Sequence, residues 1–142
     1  MNYDTVPAAE FGRSLKGIGL NLLTADVEAL ARLMAEAFGA KIHRLSKDFA
    51  IIEHGPTLLQ LHHDATYGSH PLLGLLPENP PRGAGIQLYF FGVDPARALP
   101  RAEALGAHII EQPRDKPHGL HEGTVLSAEG YALTAARPIA GS

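Results

Sequence analysis

Apolar residues along this chain switch between two spacings, and the switch happens twice in the same order. Residues 17–23 form a short apolar run that ends at Thr24-Ala25-Asp26. Val27, Leu30, Ala31, Met34, Ala37 and Phe38 then follow at steps of three and four, which is one stripe of an amphipathic helix. The second half repeats this. A β-rich run at 86–93 carries Tyr89, Phe90 and Phe91, and Asp94-Pro95 opens a helix as N-cap and first helical residue. Ala98, Leu99, Ala102 and Leu105 continue the stripe. Each helix closes on a near-copy, Ala37-Phe38-Gly39-Ala40-Lys41-Ile42 and Ala104-Leu105-Gly106-Ala107-His108-Ile109. A glycine after an apolar helical stripe marks a C-terminus, because glycine enters the left-handed region at low cost.

Three short strand candidates follow each helix. They lie at 41–45, 49–53 and 57–62 in the first half, and at 108–112, 123–127 and 132–137 in the second. Asp48, Gly55-Pro56 and Glu129-Gly130 supply turns. The chain therefore reads as β-α-β-β-β written twice, an α+β protein. One domain, 1–142, holds a first βαβββ module at 15–63, a Pro/Gly-rich connector at 64–84 and a second module at 85–138. The connector holds Leu72, Leu73, Leu75 and Leu76, so part of it is expected to pack as a lid or to wrap the other half.

Composition narrows the function. The 142 residues are 45% hydrophobic and 19% charged, with a net charge of −3, so a largely disordered chain is not expected. No Lys/Arg run exists, so the sequence has no footprint for nucleic acid or an anionic membrane. Without cysteine there are no disulfides, thiolate metal sites or cysteine nucleophiles. Residues 1–15 are polar and lack a signal-peptide core, and no apolar run reaches membrane-spanning length. The expected setting is cytoplasmic. Gly17-x-Gly19 and Gly83-x-Gly85 lack a third glycine and enter strands, which rejects a dinucleotide loop. Neither a phosphate-binding Gly-Lys-Ser/Thr loop nor a Gly-x-Ser-x-Gly elbow occurs.

Several segments carry a resemblance in order and spacing. They are Asn21-Leu22-Leu23-Thr24-Ala25-Asp26-Val27, Phe38-Gly39-Ala40, Gln87-Leu88-Tyr89-Phe90, Leu105-Gly106-Ala107, Lys116-Pro117-His118-Gly119 and Ala128-Glu129-Gly130-Tyr131. Together they resemble the vicinal oxygen chelate superfamily, which includes glyoxalase I, extradiol dioxygenases and fosfomycin- and bleomycin-resistance proteins. The resemblance spans 15–138. Ser127-Ala128-Glu129 departs from the Asp-Pro-Asp often found in the last hairpin but keeps its glycine. The resemblance implies tandem βαβββ modules forming a curled mixed sheet around a cup-shaped cavity, commonly in a homodimer.

Enzymes of that family mostly hold a divalent metal from the first, fourth, fifth and eighth strands. Carried over, those positions are Gly19, Gln60, Gln87 and Thr134. None is anionic, and divalent cations favour carboxylates or imidazoles, so the family metal site is expected to be absent. A relocated metal at His62, His121, Glu122 and Glu53 is the alternative.

Strand alternation groups the side chains that share a face. Leu58, Gln60 and His62 go together, as do Gln87, Tyr89 and Phe91, then Gly19, Asn21 and Leu23, then Ala132, Thr134 and Ala136. The expected ligand-binding set is Asn21, Gln60, His62, Tyr67, Gln87, Tyr89, Phe91 and Thr134, with Tyr67 and the connector leucines as roof. A simpler reading makes the Tyr89–Phe91 aromatics core and pairs Gln60 with Gln87. The leading functional expectation is a metal-free protein that binds a small organic ligand. The alternative is a glyoxalase-type lyase or isomerase using a relocated metal, or His62 as catalytic base. A third reading is a member whose paired surface serves assembly alone.

Overall fold

The computed structural model describes residues 1–139. The chain divides into two compact units, one of residues 1–35 and 40–75, the other of 36–39 and 76 onward.

In the first unit, strand β1 (Leu20–Thr24) leads into helix α2 (Val27–Arg32), preceded in the chain by a helix α1 (Ala8–Ser14). The Asp26 carboxylate caps α2 by accepting from the Ala29 N–H. Strands β2 (Lys41–His43), β3 (Phe49–His54) and β4 (Thr57–His63) follow. They form one open mixed sheet in the order β1-β4-β3-β2, with β1 parallel to β4 and the other pairs antiparallel. Helix α2 lies on β3 and β4. The buried side chains of Leu22, Ala50, Ile52, Leu59 and Leu61 share one face of the sheet. The other face carries Asn21, Phe49, Ile51, Leu58, Gln60 and His62.

The second unit repeats the design. Strand β5 (Gln87–Phe91) leads into helix α3 (Pro95–Ala104), capped by the Asp94 carboxylate, and strands β6 (His108–Asp115), β7 (Leu120–Leu126) and β8 (Ala132–Pro138) follow. The sheet order is β5-β8-β7-β6, with β5 parallel to β8. Helix α3 covers β6, β7 and β8 and buries Ala98, Leu99 and Ala102. Phe38, which belongs to this unit, packs on Phe90 with ring centroids 4.8 Å apart. Gly39 and Gly106, the glycines of the repeated motif, both adopt left-handed backbone (φ 77° and 96°).

One expectation needs correction. Gly19 lies just before β1 rather than on it. The connector forms two short turns of 3-10 helix, Asp64–Tyr67 and Pro71–Leu75; Leu72 and Leu75 are 40% and 79% exposed, while Leu73 and Leu76 are half-buried. The polar N-terminus is structured. Val6 and Phe11 are buried against Ile51, with Tyr3, Phe49 and Leu58 packed around them.

Candidate functional site

The N-terminal arm sits on the face of the first sheet that α2 does not cover. Phe11 and Val6 are its apolar anchors, and burying two such side chains contributes about 3–5 kcal/mol before ordering costs. Tyr3 packs edge-on against Phe11 and His43, at 5.9 and 5.2 Å between ring centroids. Polar contacts fix the arm to the end of β2. The Arg44 backbone N–H donates to Asp4 Oδ1 at 2.7 Å, and its guanidinium donates to the Val6 carbonyl. Arg44 takes a left-handed conformation (φ 57°), unusual for a side chain of its kind. The Arg44 N–H holds the Asp4 carboxyl below its ordinary pKa, with His43 adding to the effect.

Between this arm and the sheet lies a cavity of about 750 Å³. Phe11 and Gly12 of α1, Phe49 of β3 and Gln60 and His62 of β4 line it, and Arg44 and Asp48 bring charge to its rim. A second hollow of about 450 Å³ shares Phe11, Leu15 and Gln60 with it. The volume suits a small organic molecule, and the mixture of aromatic walls with a few polar anchors is usual for such sites.

His62 is the titratable group on the sheet wall. Its ring lies 4.8 Å from Phe49 and 5.5 Å from Tyr67, centroid to centroid. Its Nδ1 donates to Asn21 Oδ1 at 2.5 Å, and Asn21 Nδ2 donates to the Tyr67 hydroxyl at 2.8 Å. Burial lowers the His62 pKa below its usual 6.5. The parallel β1–β4 register explains the contact, because Asn21 stands beside Gln60, two residues before His62 on one face. The sequence-derived residues Asn21, Gln60, His62 and Tyr67 thus lie together in the first unit. Phe11, Gly12, Arg44 and Asp48 were missed. Pro7 ahead of Ala8-Ala9-Glu10 is the sequence signal for the missed helix.

Gln87, Tyr89, Phe91 and Thr134 belong to the second unit. Within its own unit, Gln87 Nε2 donates to Thr134 Oγ1 at 2.8 Å, and the Thr134 and Thr124 hydroxyls share a 2.7 Å hydrogen bond. Tyr89 stacks on Phe91 at 5.2 Å between centroids, and Phe91 is 60% exposed, so that residue is not core. The Tyr89 hydroxyl donates to Glu122 Oε1 at 3.2 Å, and His118 Nε2 donates to Oε2 at 3.1 Å. Glu122 is 3% exposed. Burial, then the Glu122 carboxylate, raises the Tyr89 pKa.

The donors do not fit the divalent metal that the resemblance implies. Gly19 offers no side chain, Gln60 is neutral, and Gln87 and Thr134 are neutral and bonded to each other. The relocated candidates are engaged within their own units. Glu53 accepts from His43 at 2.9 Å and stands on the register four residues from His62's partner Phe49. His121 bonds Asp115 at 2.8 Å, on the face opposite Glu122. Among the described residues, no group of three or more His, Asp or Glu side chains is placed to hold a metal ion.

No protein-family model and no curated protein matches the chain at the level of sequence. Solved structures do match. A glyoxalase/bleomycin resistance protein/dioxygenase family enzyme from Burkholderia phytofirmans PsJN superposes with a TM-score of 0.71 at 18% identity, covering 84% of this chain and 96% of its own. A glyoxalase-related enzyme from Fulvimarina pelagi gives 0.68 at 18% identity, covering 89% and 94%. The fosfomycin resistance protein FosX from Mesorhizobium loti gives 0.60 at 12% identity, covering 89% and 95%. In fold, the chain is like glyoxalase/bleomycin resistance protein/dioxygenase family proteins, as its duplicated sequence pattern predicts.

Proposed function

We propose that this protein binds a small organic molecule in the cavity between α1 and the first sheet, without a metal. The observation that carries the reading is the cavity itself, about 750 Å³ with Phe11 and Phe49 as apolar walls and Gln60 and His62 as polar anchors. The neutral, mutually bonded donors Gln87 and Thr134 support a metal-free reading. The fold neighbours include a protein named for resistance to fosfomycin, a small molecule. The test is an NMR titration of the 15N-labelled chain with a panel of planar aromatic compounds. Saturable binding at micromolar to low-millimolar strength, with shifts gathered at Phe11, Phe49 and His62, is expected. A panel with no saturable binder overturns the proposal.

A second reading is a metal-independent lyase or isomerase in which His62 removes a proton. The Asn21–His62 hydrogen bond favours it, because it holds the ring and engages one nitrogen. Turnover lost in His62→Gln with ligand affinity retained would separate catalysis from simple binding.

A further inference from the structure

Asn21 has two distinct ends, and each is spoken for. Its Nδ2 donates to the Tyr67 hydroxyl at 2.8 Å, which turns Oδ1 toward His62 at 2.5 Å. An amide oxygen only accepts, so the proton of the neutral imidazole sits on Nδ1. Nε2 is left with a lone pair, and among the described residues no hydrogen bond to it is formed. The ring lines the cavity beside Phe49. A neutral acceptor on a wall flanked by aromatic rings is matched by a flat molecule with one hydrogen to give.

We propose that the cavity selects a planar aromatic compound carrying an N–H or O–H group, which donates to His62 Nε2, and that Asn21 is the positioning residue that holds His62 in the Nδ1–H tautomer. This rests on the binding reading above and adds the ligand's chemistry to it. Tyr67 anchors Asn21. Exchange of the two Asn21 ends would turn an N–H toward His62 and move the proton to Nε2, reversing the preference from donors to acceptors.

Three probes of nearly one shape separate these cases: indole, 1-methylindole and benzofuran. The full chain, labelled with 15N-histidine, is titrated with each, and the His62 resonances are assigned by their loss in His62→Gln. The expected result is a bare Nε2 in the free protein. Indole then binds about 10-fold tighter than either donor-free analogue and shifts the Nε2 resonance. Asn21→Ala removes the tautomer preference and brings the ratio toward 1. A protonated Nε2 in the free protein, or equal binding of indole and benzofuran, overturns the inference and leaves the cavity reading standing. No binding by any of the three sinks the cavity reading as well.

Discussion

At the scale of single residues, His62 carries the most chemistry. Burial lowers its pKa, so the folded chain takes up this proton at a lower pH than the unfolded chain does. The corresponding stability is present above pH 6.5 and is lost as pH falls through the lower folded value. Binding of a donor ligand at Nε2 follows the same direction. Affinity for indole should hold as pH falls through 6.5 and then drop as the ring protonates. The charged neighbours on the cavity are Asp4, Arg44 and Asp48. The Arg44 N–H lowers the Asp4 pKa from its ordinary value, so this carboxylate stays ionised through this window. A pH series of affinities, with His62→Gln giving a flat profile, checks the assignment. Sequence alternation already set Asn21, Gln60 and His62 in one candidate site, and the β1–β4 register stands Asn21 beside Gln60. Neither could show that Gln87 turns to Thr134, because a side-chain hydrogen bond depends on which strands pair.

At the scale of elements, local rules sufficed where local physics decides. The stripe of α3, the Asp94 cap and the glycines Gly39 and Gly106 sit where the pattern put them, while the first stripe runs from α2 into a π-helical turn at Leu33–Ala37. Strand ends were less legible. Strand β6 runs on to Asp115 through two register shifts that break the alternation of period two, and β7 starts at Leu120 rather than 123. Helix α1 was missed for a different reason. It is only seven residues long, too short to form by propensity alone, so it depends on distant partners such as Ile51 and Phe49. That dependence predicts a measurable cost. Phe11→Ala should lower the urea-unfolding free energy by about 2–4 kcal/mol, read as a fall in midpoint. An unchanged midpoint would mean that the arm is not part of the fold.

At the scale of the whole molecule, duplication is the main design feature. Two sheets with the same strand order arise from one pattern written twice, and this was plain in the sequence. The arm breaks that symmetry, since among the described residues the second unit has no helix corresponding to α1. No helix among the described residues is long and apolar enough to cross a membrane. A homodimer remains our proposal for the assembly, supported by the exposed apolar side chains of Ile86, Phe91 and Ile110 near the edges of the second sheet. Light scattering at micromolar concentration should give twice the chain mass, and the mass of a single chain at all concentrations would contradict it.

The central claim is that ligand enters the hollow under the arm, and Gly12 offers the most direct test. It lines that hollow, and a Cβ added there meets nothing within 4 Å. Gly12→Trp should fill the space without loss of folding, since a larger side chain also suits a helix better than glycine. The measurement is indole affinity in the unaltered chain and in Gly12→Trp, with urea midpoints taken alongside. Affinity reduced about 10-fold or more at an equal or higher midpoint is the predicted result. Undiminished affinity in a folded Gly12→Trp chain would place the ligand elsewhere and contradict the account.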